Sequence, residues 1–340
     1  MIEAGLGCRR NEFSIPFQIM NQLVTVRATR GRLAGMTPFD GDGVWLRCAL
    51  HAHTTNSDGE LAPDMLVRHY EWAGFDVLAI TDHWVRTDEK STGKLLVIPS
   101  TELNAQAGGP EHDAHVLALG VQADPVIPEG QFAPLQEVVR WIAENGGVPY
   151  LAHTYWSGLR TDQWEDCEEL VGIEVWNAGC ELEVGRGDSS LQWDESLERG
   201  RNLFALATDD SHHPGYDSGF AWTWVRAAEK SQEAVLAALR SGSFYGSTGP
   251  EIVGLEVEDD AITVRCSPAE SVTLLSGRAR GARANAGRLG YPHNSQILAR
   301  DSAGLIIACR LERPWSTPYG RIEVADTAGR RAWTNSLWIA

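Results

Sequence analysis

The sequence predicts an α/β fold over roughly residues 44–250, followed by a small all-β, sandwich-like unit over residues 251–340. Three observations carry that expectation. From residue 44 onward, short runs rich in Val, Ile and Leu alternate with segments of helical periodicity. Near residue 250 the helical periodicity stops, and brief strand-like runs separated by turns take over. The chain's 340 residues, 43% hydrophobic with 13 Trp, exceed what one compact core usually holds. Residues 1–43 stand apart as an N-terminal segment, in which "QLVTVRATRGRL" reads as a strand pair and "FDGDG" as a turn-rich junction.

Each element follows from local chemistry. "VWLRCAL" is a β-rich run that leads into "HAHTTNSDGE". "APDMLVRHYEWAG" sets Met65, Leu66, His69 and Ala73 at helical spacing and stops at Gly74, so His69 is read as a residue of the apolar face. "FDVLAI" is a buried strand that delivers "TDH", and "LLVIPS" is a strand that delivers "TELN". "HVLALG" is a further strand. "LQEVVRWIAENGG" is a helix closed by Gly146 and Gly147, and "VPYLAH" and "VGIEVWN" are strands. "LQWDESLERG" is a helix, "NLFALATDDSHH" a strand with a polar end, and "SQEAVLAALRSG" a helix capped by Ser231 and ended by Gly242. Strands alternating with helices in this number predict parallel βαβ units closed into a barrel. "RSGSFYGSTGPEI" lacks P-loop spacing and reads as the closing strand and crossover into the β unit, whose runs include "AITVRCS", "GLIIACRLE" and "RIEVAD".

Composition narrows the function. The net charge of -17 argues against a long nucleic acid as partner, because such binding leans on Lys and Arg. The charge is uneven: residues 251–340 hold 11 Arg and no Lys against 10 acidic residues, leaving 18 basic and 36 acidic residues in the first 250. Six widely spaced cysteines with no CxxC pair form neither a disulfide framework nor a thiolate metal site. With no apolar signal segment and no membrane-length apolar run, a soluble cytoplasmic protein is expected.

Six of the ten histidines fall at the ends of the expected strands: His51, His53, His83, His115, His153 and His212. Glu102, Asp58 and Asp210 sit beside them in the same loops. In a parallel barrel one rim collects the ends of all strands, so residues distant in sequence converge there. Imidazole and carboxylate suit Zn²⁺, Mn²⁺ and Fe²⁺. Residues i and i+2 of a strand face one side, which lets His51 and His53 reach one ion. Asp82 is expected as a partner of His83. His112, His213 and His293 are read as loop residues.

In this setting, "LHAHTTNSDGE", "AITDHW", "STELN", "HVLALG", "YLAHTYW" and "ATDDSHH" follow in order the motif series of the PHP (polymerase and histidinol phosphatase) superfamily. The resemblance spans about residues 45–250. "SGSFYGSTGPEI" and the β-rich tail with "RIEVADTAGRRAWTNS" further resemble its carbaryl-hydrolase-like (CehA/McbA) branch. The resemblance implies a distorted (β/α)₇ barrel holding two or three divalent metal ions. Carried over by position, one ion takes His51, His53, Glu102 and Asp210; a second shares Glu102 with His115 and His153; a third takes Asp58, His83 and His212. "TDDSH" offers both Asp209 and Asp210. Asp210 is expected as the ligand because it alone makes the Asp-x-His pattern, with Asp209 orienting a ligand from behind.

No GxSxG and no cysteine in these loops supplies a nucleophile, so water is the expected attacking group. Asp210 or His212 is expected to relay the proton, and Tyr155 and Trp156 to wall the substrate pocket. A small-molecule phosphoester is the first expected substrate, with a carboxyl or carbamate ester as the alternative. A non-catalytic metal-binding module stands behind both. The arginines of "SGRARGARANAGRLG" (Arg278, Arg280, Arg283, Arg288) are read as a solvated basic loop.

Overall fold

The structure is a computed structural model that describes residues 37–39, 42–108, 113–128, 130–287, 293–314 and 317–338. The expected strand pair in "QLVTVRATRGRL", His112 and Arg288 lie outside the described residues.

The chain is a mixed α/β structure with many strands and few helices. Its elements are β1 (Val44–Ala49), α1 (Pro63–Trp72), β2 (Val77–Ile80), β3 (Leu96–Pro99), β4 (Thr101–Gln106), β5 (Asp113–Leu119), α2 (Leu135–Glu144), β6 (Val148–Leu151) and β7 (Gly172–Asn177). There follow α3 (Ala178–Val184), α4 (Ser190–Glu198), β8 (Phe204–Thr208), α5 (Pro214–Asp217), β9 (Trp222–Ala227), α6 (Gln232–Ser241) and β10 (Phe244–Ser247). Nine more strands complete the described chain: β11 (Ile252–Val257), β12 (Ala261–Ala269), β13 (Ser271–Ser276), β14 (Arg280–Asn285), β15 (Ser295–Arg300), β16 (Ile306–Glu312), β17 (Tyr319–Ala325), β18 (Arg331–Thr334) and β19 (Leu337–Trp338).

The helices form where the sequence places an apolar stripe between stop signals. In α6 the Ser231 side chain accepts from the backbone N–H of Ala234, and the helix ends at Gly242 with φ +75°. In α1 the buried stripe is Leu66, Val67 and Tyr70, whereas Met65 is exposed. The stripe is therefore offset from the one expected, and His69 is half-buried with its Nε2 2.7 Å from Ser218 Oγ. Helix α3 was not expected. It follows β7 directly, started by Asn177, whose side chain accepts from the N–H of Cys180.

Three sheets result, ordered β14-β13-β17-β18-β10-β9-β1-β2-β3, β4-β5-β6-β7-β8, and β11-β12-β16-β15, with β19 added beside β17. The sheets are not closed, so the expected barrel is not formed as one continuous ladder. Strands β1, β2 and β3 are parallel to one another, as are β6, β7 and β8. The departure lies between these groups. β3 passes through Ser100 straight into β4, and β4, β5 and β6 pair antiparallel. Antiparallel neighbours need no crossover helix, and among the described residues none stands between β4 and β5. The sheet that holds β1 to β3 and the sheet β4-β5-β6-β7-β8 meet at single bridges, Ala52 with Ser211 and His83 with Glu102.

The first sheet also crosses residue 250, since β10 pairs with β18 through Tyr245 and Thr334. One core packs β4 to β8 against α2 and α4 around Trp164 and Trp193, and another fills the space among the C-terminal strands around Ile262, Val272 and Ile322. Among the described residues, no helix is long and apolar enough to cross a membrane.

Candidate metal centre

The two sheets contribute different halves of one polar cluster. His51 and His53 leave the end of β1, Asp58 follows in the next loop, and His83 leaves the end of β2. Glu102 lies in β4 and His115 in β5, while His153 follows β6 and Asp210 and His212 follow β8. Glu102 is thus a strand residue rather than a loop residue, and His115 lies in the strand it was expected to open. Because β5 runs against β4, His115 lies near the start of its strand and still reaches the same end of the sheet.

Eight of the nine expected ligand residues fall into three overlapping groups whose ligand atoms lie within 4.8 Å of one another: His51, His53, Glu102 and Asp210; His53, Asp58, His83 and His212; and His83, Glu102 and His115. The ninth, His153, has its Nε2 3.2 Å from Glu102 Oε1. Glu102 is the hub. Its Oε2 lies 3.0 Å from His51 Nε2 and 3.3 Å from His53 Nε2, and its Oε1 lies 2.9 Å from His115 Nδ1. One carboxylate thereby offers each oxygen to a different set of imidazoles.

The residues present fit divalent cations. His53 Nε2 and Asp210 Oδ1 are buried without a hydrogen-bond partner, 3.2 Å apart and poorly aligned for bonding each other. Unpaired buried polar atoms are costly, and two of them converging beside Glu102 make a place for a shared positive charge. Electrostatics agree. Burial alone would push His51 down, but Asp210, Glu102 and Glu174 overcome it and hold its pKa well above the ordinary value. Burial likewise opposes His53, yet the carboxylates of Asp210 and Glu102 close to its Nε2 raise it to about 9. Burial would raise Glu102 and Asp210, but the imidazoles around them, His51 foremost, hold both well below the usual carboxylate range. Protons on the imidazoles thus supply the positive charge that the buried carboxylates require, and a divalent ion would supply it in their place.

Supporting side chains fix the cluster. Glu174, in β7, accepts from His51 Nδ1 at 2.7 Å, from Thr208 Oγ1 at 2.7 Å, from Asn177 Nδ2 at 2.9 Å and from the His153 N–H at 2.8 Å. That arrangement turns His51 Nε2 toward Glu102 and Asp210. Asn177 also donates to Asp210 Oδ2 at 3.0 Å. Trp84 Nε1 donates to Asn104 Oδ1 at 2.9 Å, and Asn104 Nδ2 lies 2.9 Å from His115 Nε2, leaving Nδ1 to face Glu102. Sequence reasoning missed Glu174, Asn177, Trp84 and Asn104. The available signal was Glu174 itself, a carboxylate inside the buried run "GIEVWN".

Two expected supporting roles differ. Asp82 makes no hydrogen bond to the His83 ring; it accepts from Thr54 N–H, Thr54 Oγ1, Ser57 Oγ and Thr87 Oγ1, and so anchors the loop that carries Asp58. Asp209 does not orient a ligand, because its oxygens accept from the N–H groups of Gly219, Phe220 and Ala221 and from Tyr70 Oη. It pins the chain beyond α5 instead.

Tyr155 and Trp156 are exposed in the loop after His153, and Trp156 lies beside the cluster. The Trp156 ring centroid is 5.1 Å from that of His153. Trp84, His153 and Asp210 have φ of 57°, 29° and 54°, left-handed values that cluster at this site and mark backbone held by its surroundings. His213 is exposed, 3.6 Å from Glu60, and His293 pairs through its backbone with Arg283, so neither joins the cluster. The arginine hairpin of β13 and β14 pairs with β17, and the Arg278 N–H donates to Glu198 at the end of α4. Glu198 precedes β8, at the opposite end of that strand from Asp210, so the hairpin does not close over the site.

No protein-family model matches the chain, and no curated protein matches it. Solved structures similar to it include a two-domain protein from Bacteroides vulgatus containing a predicted PHP-like metal-dependent phosphoesterase, at 17% identity and TM-score 0.49, covering 92% of this chain and 100% of that one. Another is an amidohydrolase from Chromobacterium violaceum with bound sulfate and no metal, at 18% identity and TM-score 0.37, covering 51% and 89%. A third is a chain from Bifidobacterium adolescentis provisionally named a metal-dependent phosphoesterase, at 16% identity and TM-score 0.40, covering 56% and 96%.

Proposed function

We propose that this chain is a PHP-type metal-dependent hydrolase that cleaves a phosphoester of a small molecule, with two or three ions of Zn²⁺, Mn²⁺ or Fe²⁺ as cofactors. The observation that carries the reading is Glu102, a buried carboxylate with each oxygen facing a different set of imidazoles. His51, His53, Glu102 and Asp210 would hold one ion; Glu102, His115 and His153 a second; Asp58, His83 and His212 a third. When bound, such ions supply a water of lowered pKa and positive charge against the oxyanion that develops at phosphorus.

The chain's own residues do the rest. Hydrolysis joins the water oxygen to phosphorus, breaks the bond to the ester oxygen and returns a proton to that leaving oxygen. Asp210 has both oxygens committed, one toward His51 and His53 and the other to Asn177, so it holds position. His212 is half-buried at the mouth side of the cluster, its Nε2 3.5 Å from Asp58, and is the better placed to return the proton. Trp156 and Tyr155 offer apolar surface to the leaving group.

That aromatic surface also favours a second reading, hydrolysis of an aryl carboxyl or carbamate ester, as in the carbaryl-hydrolase-like branch. The test is turnover of stripped and reloaded protein on matched nitrophenyl phosphomonoester, phosphodiester and carboxyl ester substrates. Metal-dependent cleavage of a phosphoester is expected. Preference for the carboxyl ester would move the assignment to the second reading, and silence on all three would refute both.

A further inference from the structure

The loop after β6 and the turn after α3 form one polar-edged aromatic wall. Tyr155 and Trp156 remain 41% and 37% exposed, although Trp156 stacks edge-on against His153. They are not loose. Ser157 N–H donates to the His153 carbonyl, the Tyr155 N–H donates to Ser189 Oγ at 3.1 Å, and Trp156 Nε1 donates to Glu183 at 2.9 Å. A Trp156 ring fixed at its Nε1, next to a Tyr155 fixed at its backbone, both left in solvent, is suited to contact a flat ligand.

Arg186 stands over this wall. Its guanidinium carbon is 5.6 Å from the Tyr155 ring centroid, and its side chain is exposed. Gly185, at φ +70°, ends α3 and turns the chain, and Arg186 follows it with its guanidinium toward Tyr155. The acidic residues nearby are engaged elsewhere. Glu181 accepts from the Gly187 N–H, Glu183 accepts from Trp156, and Asp188 pairs with Arg331 at 3.0 Å. Among the described residues, no carboxylate pairs with Arg186. An arginine beside a tyrosine face, with its fork of donors unused, is equipped to recognise a planar anion.

We propose that Tyr155, Trp156 and Arg186 form a leaving-group subsite for a planar aromatic group that carries its own carboxylate. The inference rests on the proposed hydrolase reading for the chemistry, but not for binding. The rings take the flat face of the leaving group, and the guanidinium takes its carboxylate at the end away from the scissile bond. Arg186 is a specificity residue here, selecting among esters that the centre treats alike.

Two measurements test it. The first is the kcat/KM ratio of 4-carboxyphenyl phosphate to phenyl phosphate with reloaded protein. A ratio on the order of ten is expected, falling toward one in Arg186→Ala and only partly in Arg186→Lys. An unchanged ratio in Arg186→Ala overturns the subsite. The second is calorimetric binding of 4-hydroxybenzoate and of phenol to the same protein, which needs no turnover. Tighter binding of 4-hydroxybenzoate, lost in Arg186→Ala and weakened in Trp156→Ala, upholds the subsite even if neither phosphate is cleaved, in which case only the phosphoesterase reading falls. Equal binding by wild type and Arg186→Ala, as expected if the carboxylate sits on the metals, overturns it.

Discussion

Glu174 accepts a 2.7 Å hydrogen bond from Nδ1 of His51, and both residues are fully buried. Glu174 touches none of the three ligand groups except through such bonds, yet it decides which nitrogen of His51 faces Glu102. Replacing it with Gln keeps the size and an acceptor but removes the charge. Glu174→Gln is expected to fold and to bind divalent metal 10–100-fold more weakly. Metal content after dialysis against graded chelator checks this, and wild-type retention would show that the bond is only structural.

Gly59 permits the loop that brings Asp58 to the cluster. A Cβ there would lie 2.3 Å from the His53 carbonyl oxygen and 2.6 Å from the Thr54 nitrogen. Both are backbone atoms and cannot swing aside. Gly59→Ala is therefore expected to displace Asp58 and weaken the proposed ion held with His83 and His212 by at least about tenfold, while the proposed ion on His51, His53, Glu102 and Asp210 stays. Metal stoichiometry by elemental analysis reads the outcome, and loss of every ion at once would contradict it.

Metal removal should be visible in stability. An ion present at about a hundred times its dissociation constant adds roughly 2.7 kcal/mol, so chelation is expected to lower Tm by several degrees. The stripped protein has its own pH signature. Burial lowers His53, but the neighbouring Asp210 and Glu102 carboxylates win and raise it from 6.5 to about 9. A raised histidine gives stability that is complete below its unfolded pKa and drains as pH rises through the folded one. Stripped protein is expected to lose Tm between pH 7 and 9.5, and reloading to abolish that slope. A stripped protein with flat Tm over this range would count against the cluster's charge balance.

Arg321 of β17 makes a two-pronged pair with Asp194 of α4 at 2.6 and 2.7 Å, and the guanidinium is buried. Leaving one partner of a buried pair alone typically costs about 3–5 kcal/mol. Asp194 is partly solvated, so Arg321→Met is expected at the low end, about 3 kcal/mol by urea unfolding. The double variant Arg321→Met with Asp194→Leu should recover more than half of that loss. If it recovers nothing, the side chains contribute by packing and not by charge.

Much of the centre was legible because its ligands sit at strand ends, where short motifs stand out against apolar runs. "LHAH", "TDH", "LAH" and "TDDSH" each end an easily read strand, and their residues do converge. The antiparallel turn of β4 and β5 was harder to read. "TELN" and "HVLALG" look alike whichever way they pair, and the signal that they are hairpin partners is the "AGGPE" between them, a turn composition that the βαβ rhythm overrode. Glu174 left one signal, a carboxylate inside an apolar run, whereas Asn177 was not legible, since partners across the core leave no local pattern. In α1 the period was right and the phase was not, because Leu66, Val67 and Tyr70 outcompete Met65 and His69 for the buried face.

The centre takes His51, His53, Asp58 and His83 from one sheet and Glu102, His115, His153, Asp210 and His212 from the other. Neither sheet alone can assemble it. A slip of one residue in either ladder would turn its side chains to the opposite face and leave imidazoles opposite no carboxylate. Only a chain that has brought both sheets together in correct alignment could load the proposed ions. Metal uptake would thereby act as a proofreading step for folding, rewarding the one docked arrangement and leaving misaligned chains unloaded, unstable and open to proteolysis.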